Sequence, residues 1–147
     1  MGKPGSHDPS RVTSRLYTLH NLHSGVLIAE RIRLAVTSAE RRKGLLGVPE
    51  MGNDDGLWIY PCEAVHTFGM KMPIDVVFVD RERRVRKTRH NLVPNRISFC
   101  FEAESVIELR AGAVAATGIR VNDKLEFKTL KLTARSADEF REACHRL

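Results

Sequence analysis

The feature that most constrains the fold of this chain is the run Ile74–Val79, which is apolar except for Asp75. β-Branched and aromatic residues dominate the run, and its short length is typical of a strand rather than a helix. Because both alternating faces of such a strand are apolar, we expect it to be buried on both sides within a sheet. The carboxylate of Asp75 must then be satisfied by hydrogen bonds or used in chemistry.

Weaker strand patterns flank this run on both sides. Residues 16–19 and 26–36 predict an opening β-hairpin, and residues 80–83 predict a turn after the central run. Further strands are predicted at residues 56–60, 84–92, 105–109 and 124–132. Six or more short strands, without a regular strand–helix alternation, favour a mainly β (α+β) fold, a compact sandwich or barrel.

Two capping boxes predict the helices of the chain. Thr37 and Glu40 form the first box, ahead of a helix that nearby glycines keep short. Ser136 and Glu139 form the second box, and the apolar residues after it recur at helical spacing. We therefore expect one short helix after the opening strands and an amphipathic C-terminal helix over residues 136–147.

The 147 residues suit a single domain, and 42% apolar with 29% charged residues is a globular balance. Residues 1–15 are rich in small and polar side chains, so we expect a flexible tail followed by one β-rich domain at 16–147. The tail lacks the apolar stretch of a secretory signal, and no run approaches the roughly 18 to 20 apolar residues of a membrane span. We expect a cytoplasmic monomer without membrane insertion.

The three cysteines, Cys62, Cys100 and Cys144, lie far apart and form no Cys-x-x-Cys pair. Their odd number and spacing favour reduced thiols over a disulfide framework. Cys62 and His66 alone are a poor zinc signature, and the chain has no glycine-rich loop that would hold phosphates. We therefore predict no metal site and no cofactor.

Several residues are candidates for a ligand pocket, although none has an assigned catalytic role. Asp75 either accepts loop N–H groups or pairs with Arg41, or else acts as an acid or base. His66 either braces its loop or binds a ligand or proton, and Glu108 is a half-buried acid for which an ion pair is favoured. Met70 is either core or the apolar wall of a cleft.

A basic segment accounts for much of the formal net charge of +6. We expect it to be a solvated hairpin face, with anion or nucleic-acid binding as the alternative. Because the segment has no interleaved aromatics, any nucleic-acid binding is expected to be weak. Its members are Arg81, Arg83, Arg84, Arg86, Lys87 and Arg89.

Four ordered blocks of the sequence resemble domain-of-unknown-function family 192. They are residues 34–46, residues 56–58, residues 66–80, and the paired segments 106–112 and 118–123. The resemblance covers about residues 26–128 and implies a compact β sandwich related to jelly rolls, without an established activity. The chain departs from the commoner pattern of this family at three places, which are Leu46, Asn122 and residues 66–70. Many members have Gly at the position of Asn122.

Three functions remain open on the sequence. We favour a non-catalytic module that binds a small ligand or peptide in a cleft beside residues 62–73. The first alternative is an acid–base enzyme that uses Asp75 and His66, and the second is weak nucleic-acid or anion binding through residues 81–89. Convergence of the candidate residues in one cleft is the observation that separates a site from a scaffold.

Overall fold

The computed structural model describes residues 15–130. The predicted tail up to residue 14 and the predicted C-terminal helix lie outside this range. Within it, no helix has the length and apolarity that crossing a bilayer requires. The elements in chain order are β1 (Leu16–Asn21), β2 (Leu27–Ala35), α1 (Ser38–Lys43), β3 (Asp55–Ile59), β4 (Ala64–His66), β5 (Ile74–Val79), β6 (Val85–Leu92), β7 (Ile97–Phe99), β8 (Ser105–Arg110), α2 (Ala113–Thr117) and β9 (Leu125–Thr129).

Seven of these strands form one curled sheet in the order β6-β5-β8-β3-β2-β1-β9. Only β2 and β3 pair in parallel, and the other neighbours are antiparallel. The two edges of the sheet approach each other at a bridge between Arg84 and Lys124, where the Val85 N–H donates to the Asp123 carbonyl at 2.9 Å. The sheet is therefore a half-barrel, and the prediction of a mainly β sandwich or barrel is confirmed.

Apolar side chains pack on both faces of the sheet, which explains the continuous apolar run of β5. The barrel core lies inside the curl and receives side chains from all seven strands and from α2. The outer core lies on the other face, beneath α1 and a separate two-stranded sheet of β4 and β7. Representative members are Leu19, Ile32, Trp58, Val77, Ile107 and Phe127 in the barrel core, and Leu57, Ile59, Val65, Ile74, Val76 and Val106 in the outer core.

The first capping box forms as predicted. Thr37 Oγ1 accepts the Glu40 N–H at 3.2 Å, and Glu40 Oε2 accepts the Thr37 N–H at 3.0 Å. The helix ends at Gly44, whose φ of 47° lies in the left-handed region. This short helix lies in the crossover connection between the parallel strands β2 and β3, on the outer face of the sheet.

The departure from the family at Asn122 has a simple backbone explanation. Asn122 has a φ of 76°, and Asn tolerates this left-handed region better than other non-glycine residues. The next residue, Asp123, is buried, and its Oδ2 accepts bonds from the Asn21 Nδ2 at 2.8 Å and the Arg120 N–H at 2.9 Å. Asn122 can therefore replace glycine in the turn that closes the half-barrel.

Two features of the fold were not predicted. The strands β4 and β7 were not among the predicted strands, and they pair in antiparallel fashion from Ala64 opposite Phe99 to His66 opposite Ile97. The parallel pairing of β2 with β3 was also missed. Both matter for function, because β4 and the crossover helix α1 together form the walls of the cleft described next.

Candidate functional site

A cleft of about 380 Å³ lies on the outer face of the sheet, between α1 and β4. The helix supplies polar and cationic side chains on one side, and the segment from the end of β3 through β4 supplies mainly apolar groups on the other. Glu108, on the internal strand β8, contributes to the lining from the sheet. The lining residues are Ser38, Arg41, Arg42, Gly44, Ile59, Pro61, Cys62, Ala64, Val65, His66 and Glu108.

Glu108 is the most unusual residue of this cleft. It is only 4% exposed, and its Oε2 has neither solvent access nor a hydrogen-bond partner among the described residues. Arg33 on β2 lies opposite Leu57 on β3, which in turn lies opposite Glu108 on β8. At the usual strand spacing, the Cα atoms of Arg33 and Glu108 are therefore roughly 10 Å apart. Among the described residues, none forms the ion pair that the sequence favours for Glu108.

Burial in this position changes the acidity of the carboxyl group. Loss of solvent raises the pKa of Glu108 from 4.5 to about 7, and the positive charge of Arg33 only partly opposes this shift. Glu108 is thus divided between its charged and neutral forms near neutral pH. It can accept a hydrogen bond or cation when charged, and donate a proton when neutral.

The predicted residues Arg41 and His66 lie in the same cleft as Glu108. The Arg41 Nη1 donates to the Pro61 carbonyl oxygen at 3.1 Å, which ties α1 to the chain just before β4. His66 is exposed on β4, and its ring lies 5.5 Å from the ring of Phe68. Three of the five predicted pocket residues therefore converge at one site.

Cys62 and Arg42 also line the cleft, although neither was among the predicted pocket residues. Burial raises the pKa of the Cys62 thiol, a nearby charge on Glu108 raises it further, and the thiol donates to the Ala64 carbonyl oxygen at 3.1 Å. A protonated thiol is a poor nucleophile, so Cys62 is better suited to a pocket wall than to covalent chemistry. The basic run after the capping box was visible in the sequence, but only the tertiary packing of α1 against β4 places Arg42 here.

Asp75 does not belong to this cleft, which corrects its assignment as a pocket residue. Its Oδ1 accepts the Asn91 N–H at 2.8 Å and its Oδ2 accepts the Val114 N–H at 2.9 Å. It lies opposite Leu109 of the barrel core, whereas Glu108 lies opposite Val76 of the outer core. Asp75 therefore serves the opposite face of the sheet, and the predicted pairs with Arg41 or His66 do not form.

Of the two alternatives given for Met70, core residue or cleft wall, the structure places it in the core. Its side chain is 8% exposed and packs in the outer core, so it fills space beneath the loop instead of lining the cleft. The loop that carries Met70 is anchored by Thr67, whose hydroxyl donates to the Val93 carbonyl oxygen at 2.7 Å. The core reading of Met70 is therefore the one that its packing supports.

The basic segment does not form one continuous face. The Arg83 guanidinium lies 5.4 Å from the ring centres of both Trp58 and Phe127, at the barrel core. The Lys87 ammonium instead lies against the outer-core side, where it donates to the Phe99 carbonyl oxygen at 2.8 Å. Further contacts engage Arg84 with Asn122, Arg86 with Asp80, and Arg81 with Glu104.

Within residues 15–130, no group of three or more His, Cys, Asp or Glu side chains is placed to hold a metal ion. A second cavity of about 450 Å³ is lined largely by charged residues, including Asp80, Arg86 and Glu102. Its lining has four acidic and two basic side chains, and Arg86 lies 2.6 Å from Asp80 and 3.9 Å from Glu102.

The fold and the site together define a class of small β half-barrels with a single-carboxylate cleft on the outer face of the sheet. The chain belongs to domain-of-unknown-function family 192, described as Uncharacterized ACR, whose profile matches residues 20–127. A search of curated proteins found no match to the sequence.

Two solved structures are similar to this chain over most of their length. One is a candidate transcription regulator from Sinorhizobium meliloti 1021, with 26% sequence identity and a TM-score of 0.69, covering 78% of this chain and 94% of its own. The other is a protein of unknown function from Novosphingobium aromaticivorans DSM 12444, with 29% identity and a TM-score of 0.66, covering 85% of this chain and 93% of its own. These similarities support the half-barrel fold.

Proposed function

We propose that the protein is a small-molecule-binding module and that its site is the cleft between α1 and β4. The observation that carries this proposal is the buried carboxyl of Glu108 in the lining of a cleft, whose Oε2 has no hydrogen-bond partner among residues 15–130. Buried polar groups are normally hydrogen-bonded, because an unsatisfied one destabilises the fold. A carboxyl that is left without a partner beside an open cleft is a group that a bound molecule would satisfy.

The size and composition of the cleft agree with this role. Its volume of about 380 Å³ falls within the usual range of small-molecule sites. Apolar wall residues such as Ile59 and Val65 offer contact area, and the polar groups of Glu108, Arg41 and His66 would fix the orientation of a ligand. An extended peptide is a less suitable occupant, because the unpartnered group is a single buried side chain instead of a row of backbone groups.

The direct test is a mixture of small fragments titrated into ¹⁵N-labelled protein, with amide shifts followed by NMR. We expect shifts concentrated at the residues that line the cleft. The variant Ala64→Trp should abolish these shifts, because Ala64 is an exposed lining residue of β4. Ala116→Trp, at an exposed position of α2 outside the cleft, is the matched control and should bind as the wild type does.

Acid–base catalysis is a second candidate, with Glu108 in the role first considered for Asp75. The observation that favours it is the pKa of Glu108, raised by burial to about 7, where a general acid or base works best. If a bound fragment is chemically altered over hours by the wild type and left intact by Glu108→Gln, the site is catalytic. Binding without any change in the fragment spectrum supports the non-catalytic module.

Nucleic-acid binding is a weaker alternative, suggested by the net charge and by the structural similarity to a candidate transcription regulator. Most basic side chains of residues 81–89 contact other protein groups and are divided between two faces. We therefore expect only weak binding to duplex DNA, without sequence preference, that falls steeply between about 50 and 200 mM salt. Fluorescence anisotropy with two unrelated duplexes tests this, and tight, selective binding would reverse our ranking.

The proposal includes a monomeric, cytoplasmic protein. Cys62 and Cys100 are both free thiols in the structure, which agrees with a reducing compartment. Light scattering coupled to size-exclusion chromatography should give the mass of one chain, and cell fractionation should recover the protein in the soluble fraction.

A further inference from the structure

We propose that the ligand of this cleft is a small zwitterion, whose cationic nitrogen binds the Glu108 carboxylate and whose anionic group binds the guanidinium groups of Arg41 and Arg42. This inference rests on the proposed function of the cleft and adds the chemical class of its ligand. It follows from the charges at the two ends of the cleft and from the apolar surface between them.

The inner end of the cleft requires a cation. An ionised carboxylate is an acceptor only, and Glu108 Oε2 has no donor among the described residues. The nearest compensating charge, on Arg33, is separated from Glu108 by a whole strand. A neutral hydroxyl would supply a hydrogen bond but leave the buried charge uncompensated, whereas an ammonium or amidinium group would supply both.

The helix side of the cleft requires an anion. The Arg41 Nη1 and the Arg42 Nε each donate one bond to a backbone carbonyl oxygen, of Pro61 and Ser38 respectively. A guanidinium has five N–H donors, so each side chain keeps several for a ligand. Neither side chain forms an ion pair with a carboxylate of the described residues. Guanidinium groups are well matched to a carboxylate or phosphate, and both of these line the cleft.

The surface between these two ends is mainly apolar. Ile59, Pro61, Ala64 and Val65 line the wall opposite α1. Such a wall suits a short aliphatic spacer. The complete ligand is therefore a compact molecule with one positive end, one negative end and a hydrocarbon link.

Binding of the cation should be coupled to the ionisation of Glu108. Only the charged carboxylate attracts a cation, and burial holds the pKa of the free site at about 7. Affinity should therefore rise about tenfold between pH 6 and pH 8, as the ionised fraction rises from about one tenth to nine tenths. The charged or titratable groups around Glu108 are Arg33, Arg41, Arg42, Cys62 and His66.

A matched set of four-carbon probes tests the two ends separately. The probes are γ-aminobutyrate, butylamine and butyrate, titrated by NMR and calorimetry into the full chain at pH 6 and pH 8. We expect γ-aminobutyrate to bind most tightly and with the predicted tenfold increase between these pH values. Butylamine should show the same pH dependence at lower affinity, and butyrate should bind weakly without it.

Variants of the protein test which side chains bind the cationic group of a probe and which bind its anionic group. At pH 8, Glu108→Gln should weaken binding of γ-aminobutyrate and butylamine about tenfold, which corresponds to about 1.4 kcal/mol, and leave binding of butyrate within about twofold. The double variant Arg41→Gln, Arg42→Gln should weaken γ-aminobutyrate and butyrate but not butylamine. Glu30→Gln, at an exposed position outside the cleft, is the control and should change none of them.

The outcomes separate this inference from the function on which it rests. If neutral fragments shift the cleft resonances and none of the charged probes does, the zwitterion class is wrong and the binding function stands. If γ-aminobutyrate binds equally well at both pH values or to Glu108→Gln, the assignment of its nitrogen to Glu108 is wrong. If neither the probes nor the fragment mixture shifts cleft residues, the binding function itself fails.

Discussion

The central sheet has a buried carboxylate on each of its two faces, and the two carboxylates differ in their hydrogen bonding. Asp75 on β5 and Glu108 on β8 lie on neighbouring strands, one residue apart in register and on opposite faces. Both side chains are nearly inaccessible to solvent, at 0% and 4% exposure. Asp75 accepts one backbone N–H at each oxygen, whereas Glu108 has an oxygen without a partner.

This contrast separates a structural role from a functional one more clearly than burial does. Asp75 is part of the fold, because the backbone N–H groups of Asn91 and Val114 donate to its two oxygens and so join β5 to β6 and to α2. Within the part of the chain that the structure describes, no hydrogen bond or ion pair of the Glu108 side chain joins two elements, yet Glu108 lies on a well-packed internal strand where an apolar residue would stabilise the fold more. Residues that lower stability without a structural role are characteristic of functional sites.

The largest predicted effect concerns Asp75. In Asp75→Asn, the amide nitrogen must face one of the two N–H groups, from Asn91 or Val114, and leave that donor unsatisfied. We expect a loss of about 2 to 4 kcal/mol in the free energy of unfolding, measured with urea at neutral pH. The exposed control Asp54→Asn should change it by less than about 0.5 kcal/mol. An unchanged midpoint for Asp75→Asn would remove the distinction between the two faces.

The opposite sign is predicted for Glu108. Glu108→Gln imitates the neutral carboxyl, so it should raise the free energy of unfolding by on the order of 2 kcal/mol near pH 8. Near pH 5 the gain should almost vanish, because the wild-type carboxyl is then mostly protonated in the folded state.

The sign of this pH dependence follows from the raised pKa. The folded state holds the Glu108 proton up to about pH 7, whereas the unfolded state releases it near the ordinary value of 4.5. The stability that comes from the folded-state proton is therefore complete below about pH 4.5 and is lost as the pH rises through 7. Urea midpoints of both proteins between pH 5 and pH 8 measure it. Destabilisation by Glu108→Gln at pH 8 would show that the carboxylate has a structural partner.

Local signals in the sequence predicted much of the fold. The Thr37–Glu40 capping box, the turn at residues 80–83 and the apolar run Ile74–Val79 each depend on neighbours within a few residues, and each forms in the structure. The strands β4 and β7 were missed because three residues are too few to show a side-chain alternation. The parallel pairing of β2 with β3 was missed because no local pattern specifies it.

The site was predicted only in part, for a related reason. Asp75 and Glu108 look alike in the sequence, since each is a single acid within an apolar strand. The partners of Asp75 are 16 and 39 residues away along the chain, at Asn91 and Val114, so their presence depends on the tertiary fold. Arg41 and His66 were grouped with Glu108 as pocket candidates, and the packing of α1 against β4 is what places all three in one lining.

The smallest predicted effect concerns Arg83, which lies at one edge of the barrel core. Arg83 lies over the stacked rings of Trp58 and Phe127, whose centres are 3.7 Å apart, and so shields the edge of that core from water. The outer face has an open cleft instead of such a cover. Arg83→Ala should lower the free energy of unfolding by about 0.5 to 1 kcal/mol, as expected for an exposed cation–π contact.

Trp58 fluorescence reports on this edge of the barrel core, because Trp58 is the one tryptophan of the chain and lies in that core. Loss of the Arg83 side chain should increase quenching of its fluorescence by acrylamide, while Arg89→Ala, an exposed change elsewhere on β6, should leave quenching unaltered. Glu108→Gln should not alter it either, because Glu108 belongs to the other face. Equal quenching in wild type and Arg83→Ala would show that the barrel core is closed without Arg83. The basic segment would then be free to serve a charged partner.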